Sequence, residues 1–274
     1  MMRRLSSRAG RLLVIAILAG VGISSIVFAI GDWHLHDMEV YEAAAWRIRS
    51  GEPLYGGDVD ALSAYRYAPW FAYAWVPLTY IPPIAVRIGW SALLLVASVL
   101  ALSPFARGRA MIVVLLFAPI LVGITAIGNV HPAMLAVLVW GLPRRWGGLA
   151  VGLAASLKIV PILLVLHFLA ERRWWQAGIA AAVAAVLWLP VLAYEIAPIS
   201  FDPGVARTLP EPAWIAAALA SAGVATWLGV RRSQYTTLAA AVAALLALPR
   251  LFVYEISFVM LGALPPRAIE EPRD

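Results

Sequence analysis

Residues 34–56, HLHDMEVYEAAAWRIRSGEPLYG, hold one aspartate, three glutamates and two arginines in a chain of which only 13% is charged. Asp37 is the member of this stretch best suited to chemistry. An ionised carboxylate within hydrogen-bond reach of a hydroxyl is a general base. The same group at the start of a helix is stabilised by unpaired backbone N–H groups, so a capping role stands beside the catalytic one. Glu39 and Glu42 are interfacial charges or ligand-facing groups, and Glu39 is kept as a contact candidate.

Lys158, in AASLKIVP, is the strongest single-residue signal. A cation within apolar sequence is expensive unless it snorkels to the interface or meets an anion, and such residues are functional candidates by default. Arg66 stands in the aromatic run YRYAPWFAYAW, where its planar fork of donors suits a lipid phosphate, with snorkelling as the alternative. Tyr67 and its neighbours suit either a headgroup-level aromatic belt or a stacking surface for a ligand. In GNVH, residues 128–131, Gly128 and Asn129 read as a helix–helix turn with its caps, while Asn129 and His131 are also placed to recognise a hydroxyl. LPRLFVYE, residues 248–255, brings Arg250, Tyr254 and Glu255 to the opening of the last helix. Arg250 faces either a phosphate or Glu255, and Glu255 pairs with Arg250 or with Lys158 across the bundle.

Other chemistries find little support. G-x-G-x-x-G, a P-loop and H-E-x-x-H are all absent from the sequence. His34, His36, His131 and His167 do not make a zinc set, Asp37 and Glu39 leave a divalent cation open without requiring one, and no cofactor is expected. There is no cysteine, which removes disulfides and thiol chemistry. The net charge of +6 reflects topology and attraction to lipid, with nothing pointing to nucleic acid.

The elements that must position these residues are helices in a membrane. With 63% hydrophobic residues and 12 Trp, the chain is too apolar for an ordinary soluble domain. Residues 12–30 form the first spanning candidate after Arg3, Arg4, Arg8 and Arg11, and are read as a retained helix because the apolar run reaches spanning length. Basic clusters at Arg107/Arg109, Arg144/Arg145, Arg172/Arg173, Arg231/Arg232 and Arg267 are assigned to the cytoplasm. Spans are then expected at 84–103, 110–127, 130–142, 175–194, 212–230, 235–248 and 251–264. Residues 147–170 would reach only about 36 Å as a helix, so they cannot cross twice and are expected to break near KIVP, residues 158–161. Residues 37–51 carry Val40, Ala44 and Ile48 on one face and predict an amphipathic helix lying on the membrane surface, stopped by Gly51 and Pro53.

In their order and placement, DMEVYEAAAWRIRSGEPLY, YRYAPWFAYAWVPL, GNVHPAMLAVLVWGL and GLAASLKIVPILLVLHFLAERRW resemble the polyprenol-phosphate-mannose-dependent mannosyltransferases of glycosyltransferase family 87, within the GT-C membrane superfamily. LPRLFVYEISFVML resembles the family's late helix less strongly. His131 stands where a second asparagine is common, and the chain would be an unusually short member, which bears most on acceptor recognition.

The resemblance implies an all-α polytopic membrane protein, a GT-C-like bundle with an outward interfacial helix and a broken short-helix hairpin. It is expected to form a single integral membrane domain over residues 1–274. Its parts are a first span at 12–30, an outward loop at 31–83, a bundle at 84–264 and a cytoplasmic tail at 265–274. The implied activity is inverting transfer of a sugar, mannose by resemblance, from a polyprenyl-phosphate donor to a lipid or glycolipid hydroxyl. The site would face the periplasm or cell exterior from the plasma membrane. Asp37 is then the expected base, and Lys158, Arg66 and Arg250 the donor-phosphate residues. Asn129, His131, Tyr67, Glu39, Tyr254 and Glu255 are the sugar or acceptor contacts. A lipid transporter or flippase, or a noncatalytic assembly subunit, is the rival reading.

Overall fold

A computed structural model of the chain describes residues 35–55, 64–195, 210–248 and 251–264. The expected span at 12–30, His34, Arg250 and the tail from 265 lie outside the described residues. Among the described residues there are helices and no strands, and the chain is an all-α membrane protein.

The helices are α1 (His36–Ser50), α2 (Pro69–Trp75), α3 (Pro83–Leu102), α4 (Met111–Ala126), α5 (His131–Gly141), α6 (Gly147–Leu157), α7 (Val165–Ala170), α8 (Trp174–Trp188), α9 (Glu211–Val230) and α10 (Thr236–Leu246). Tighter 3-10 segments cover Val76–Tyr80, Val160–Leu164 and Val253–Ala263. Pro69, Pro83, Pro132 and Pro212 sit in the first turns of their helices, where the missing N–H would lack an intrahelical partner and the fixed φ already suits the helix. The expected bundle boundaries agree to within two residues except at the end of α8, where the chain tightens into a 3-10 turn over Leu189–Ala193.

Length separates two kinds of helix. Pro83–Phe105, Trp174–Ala193 and Glu211–Val230 are long and apolar enough to cross a membrane. At 1.5 Å per residue each reaches about 30 Å, the thickness of the hydrocarbon. By contrast α5, α6 and α10 have 11 residues each, or about 16 Å of helix. The expected spans at 130–142 and 235–248 are therefore too short to cross alone. Backbone groups at such ends must be met by other parts of the protein, because lipid offers no hydrogen bonds.

The break expected near KIVP is present. α6 stops at Leu157, Lys158 is extended at φ −136° and ψ 128°, and a 3-10 turn over Val160–Leu164 leads into α7. Tryptophan indoles help satisfy the groups at this break. Trp188 Nε1 donates to the Ala155 carbonyl at 3.0 Å and Trp70 Nε1 to Ser156 Oγ at 3.1 Å. α6 is held tightly on α8 through Gly148 and Gly152, four residues apart on one face. A Cβ at Gly152 would come within 2.6 Å of Val183 Cβ, so the small-residue face is what allows the approach.

α1 is the amphipathic helix expected at 37–51. It buries Met38, Tyr41, Ala44 and Ala45 and packs on α2 and the Val76–Tyr80 turn. The aromatic run divides between two roles. Tyr65 and Trp75 are core residues under α1, whereas Tyr73 and Tyr80 are exposed in the manner of a headgroup belt.

The GNVH turn joins this layer to the bundle. The Asp37 N–H donates to the Ile127 carbonyl at 3.0 Å, and Trp90 Nε1 on α3 donates to the Gly128 carbonyl at 2.7 Å. Gly128 has φ +77°, and a Cβ there would meet Met38 Cβ at 2.9 Å and Leu35 Cβ at 3.2 Å. Gly128→Ala combines left-handed strain with a clash against the α1 backbone layer. It is expected to lower stability by about 1–3 kcal/mol, measured as denaturant or thermal unfolding in detergent; an unchanged midpoint would show that α1 does not approach the turn this closely.

Candidate active site

The polar ends of four elements meet beside the GNVH turn: the start of α1, the turn itself, the break after α6 and the start of the last 3-10 segment. The Asp37 side chain does not cap α1, whose N-terminus has no side-chain cap. Its Oδ2 instead accepts from Asn129 Nδ2 at 2.9 Å. The amide is oriented by its other end, since Asn129 Oδ1 accepts the His131 N–H at 2.8 Å and only the NH2 remains to face Asp37. One asparagine thus shapes the turn and aims a donor at the carboxylate.

Tyr41, one helical turn after Asp37, is fully buried. Its hydroxyl accepts the Val130 N–H at 3.2 Å and bonds the Tyr67 hydroxyl at 3.0 Å, with the two rings edge to face at 5.1 Å. Tyr55 Oη donates to the Tyr67 carbonyl at 2.7 Å. The 65–68 segment is therefore pinned to α1 and the turn together.

Lys158 projects from the break at the end of α6. Its Nζ lies 2.6 Å from Glu255 Oε1 and 3.2 Å from Tyr254 Oη, and 4.7 Å from the Tyr254 ring centroid. Extended backbone at Lys158 removes it from the helix and turns it across to the last segment. A cation beside the carbonyl end of α6 is also favoured by the helix dipole. Glu255 is buried, with Oε2 accepting the Phe252 N–H at 3.3 Å. Lys158 is one of the two partners expected for Glu255; the other, Arg250, lies outside the described residues.

Ser257 Oγ donates to the Tyr254 carbonyl at 2.6 Å and therefore accepts from His131 Nε2 at 2.8 Å. The His131 ring is buried edge to face with Tyr254 and Phe258, each at 5.1 Å between centroids. Its Nδ1 is left as an acceptor with no hydrogen-bond partner among the described residues.

Burial holds the Asp37 carboxyl above its ordinary value of 3.8. The Asn129 hydrogen bond and the positive fields of Lys158, His36 and Arg66 oppose that rise without overcoming it. Lys158 and Arg66 are thus electrostatic neighbours of Asp37, and Arg66 is exposed.

Glu39 lies apart. Two residues along a helix do not share a face, and Glu39 turns to Arg87 on α3 at 3.5 Å. Asp37, Asn129, His131, Tyr67, Lys158, Tyr254 and Glu255 come together, and Arg250 lies outside the described residues. Sequence reasoning did not single out Tyr41 or Ser257. The signal for Tyr41 was its place four residues after Asp37 on the same face, whereas Ser257 sits in apolar text with nothing to mark it. No group of three or more metal-ligating side chains occurs among the described residues.

A carboxylate beside a hydrogen-bond donor, with a lysine close by, can take a proton from a hydroxyl while a cation meets an anionic leaving group. Residues 65–201, half of the 274, match the model of glycosyltransferase family 87, and the chain belongs to that family. It is accordingly a membrane glycosyltransferase, acting on a sugar donor and an acceptor. Neither a curated protein nor a solved structure matches the chain. Arg66, Tyr67, Asn129, His131 and Lys158 fall within the matched residues, and Asp37, Tyr254 and Glu255 join them through the fold.

Two stability effects follow from this arrangement. Because folding raises the Asp37 pKa, its ionised form carries a burial cost that is absent below pH 3.8 and develops as pH rises through the folded-state value. Asp37→Asn, which removes that charge, is expected to melt higher than the wild type at pH 8 and level with it near pH 3; a lower melting point at pH 8 would contradict a desolvated carboxylate. Lys158→Gln leaves a buried carboxylate without its cation and should cost about 3–5 kcal/mol, most of which Lys158→Gln with Glu255→Gln restores, as read by chemical unfolding of the two variants.

Proposed function

We propose that this glycosyltransferase inverts configuration as it moves a sugar, with mannose the first to test, from a polyprenyl-phosphate donor to a hydroxyl of a lipid or glycolipid. The reaction is assigned to the extracytoplasmic face of the plasma membrane, within a single integral membrane domain. The observation that carries this reading is the juxtaposition of Asp37, held by Asn129, with Lys158 at the break after α6.

In this reading the acceptor oxygen attacks C1 of the donor sugar while Asp37 takes its proton. The bond from C1 to the phosphate oxygen breaks on the opposite face, and both of its electrons leave with polyprenyl phosphate. The phosphate passes from a singly charged diester to a doubly charged monoester, so it needs no proton from an acid. Lys158, with Arg66 and Arg250, meets the growing charge, an effect strengthened where water is excluded. Asn129, His131, Tyr67 and Tyr254 are the sugar and acceptor contacts. Glu39, turned towards Arg87, is the weakest of the original candidates. The isoprenoid tail remains in lipid between the long helices, and no nucleotide site is required.

Transfer from radiolabelled polyprenyl-phosphate mannose to extracted membrane lipids tests the assignment. Asp37→Asn should reduce transfer by about 10²- to 10⁴-fold while still binding donor. In the wild type the acid limb of the pH profile should have its midpoint above 3.8, because the base must be ionised and burial resists that. Undiminished transfer by Asp37→Asn would remove it as the base. Inert donors bearing mannose, arabinose or glucose, with none bound, would favour a transporter or an assembly subunit.

A further inference from the structure

Lys158 already has an anion. Its ammonium contacts Glu255 Oε1 at 2.6 Å, and Glu255 is itself fixed through Oε2 to the Phe252 N–H. The pair is largely withdrawn from water, with side-chain exposures of 16% for Lys158 and 2% for Glu255, so solvent screens it poorly. Arg66 likewise lies within the field of Asp37. Among the described residues, two carboxylates thus offset the two cations around the space beside the turn. A phosphate-binding centre built for strong attraction would leave its lysine opposed only by ligand.

We infer that Glu255 makes the phosphate position selective for charge, favouring the singly charged phosphodiester over the doubly charged phosphate monoester. The inference rests on the reading of Lys158 as the donor-phosphate residue and assigns Glu255 a role distinct from sugar contact.

The physical basis is the difference between one and two negative charges near a fixed carboxylate. A monoanion gains from Lys158 and is repelled once by Glu255. A dianion doubles both effects, but its greater desolvation cost and its closeness to a carboxylate that cannot move away weigh against it. Donor and product of the proposed transfer differ by this one charge. Glu255 therefore trades some stabilisation of the departing phosphate for its release, and product release often limits turnover in enzymes with enclosed sites.

Among the described residues, the side chains in direct contact with the Lys158–Glu255 pair or beside it are uncharged. Tyr254 lies on the ammonium, the half-buried Tyr67 is paired through its hydroxyl with Tyr41, and His131 is engaged through Nε2 with Ser257. Glu255 is thus a positioning and selectivity residue whose anchor is the first turn of the last segment.

The test uses the purified full-length protein in nanodiscs at pH 8, read by tryptophan fluorescence, with two probes. One is a polyprenyl phosphate, a dianion at this pH because its second pKa is about 6. The other is its methyl ester, a monoanion. Wild-type protein should bind the methyl ester more tightly, on the order of tenfold in Kd. Glu255→Gln, which keeps an acceptor for the Phe252 N–H and Lys158, should tighten both and reverse the order. Wild-type preference for the dianion would overturn the inference, as would an unchanged preference in a folded Glu255→Gln. The wild-type comparison decides by itself if that variant does not fold. Failure of the wild type to bind either probe would instead overturn the donor-phosphate reading of Lys158.

Discussion

Helix ends in apolar surroundings must find their hydrogen bonds and counter-charges in one another, and this requirement organises the molecule. α5 and α6 have 11 residues each, too few to carry both ends to water across a bilayer. Their exposed backbone and charges are met from neighbouring elements: Tyr41 serves the Val130 N–H, Asn129 the His131 N–H, Trp188 the Ala155 carbonyl and Glu255 the Lys158 ammonium. The candidate site is the place where these unmet groups accumulate. Short helices and a polar cluster are two aspects of one constraint.

Rigidity follows from the same contacts. Asn129 is shared between the backbone of the turn and the Asp37 carboxylate, so the aim of the side chain is fixed by the fold rather than by rotamer preference. α1 is fastened to the turn by the Asp37 N–H, by the Gly128 approach and through Tyr41. Only glycine tolerates both the positive φ and the nearness of Met38. A carboxylate held this way is partly desolvated, and burial raises its pKa at a cost in stability. The long helices supply the apolar wall, and two of them reach into the cluster through an indole: Trp90 bonds the Gly128 carbonyl and Trp188 the Ala155 carbonyl.

Family membership and geometry complement each other. The match over residues 65–201 covers the aromatic run, the turn and the broken hairpin, which contribute Arg66, Tyr67, Asn129, His131 and Lys158. The carboxylates come from either side of it in sequence, Asp37 from α1 and Glu255 from the last segment. A site assembled from both sides of the matched region depends on α1 docking at the turn and on the last segment reaching the break after α6.

Much of this was legible in the sequence because the responsible patterns are local. Apolar runs and prolines fixed the helices, the spacing of Val40, Ala44 and Ile48 marked α1, and Lys158 before Pro161 announced a break with a charge that needed an anion. Motif order was enough to suggest the family. Partner choice was not legible, because a partner lies at long range. Nothing local says that Glu255 meets Lys158 97 residues away, separates a capping Asp37 from one facing Asn129 92 residues later, or marks Ser257 as the residue that orients His131. Residue types and short spacings state which groups must be satisfied; only the tertiary structure decides which groups satisfy them, since hydrogen bonds and ion pairs act over a few ångströms and the fold alone sets which residues come that close.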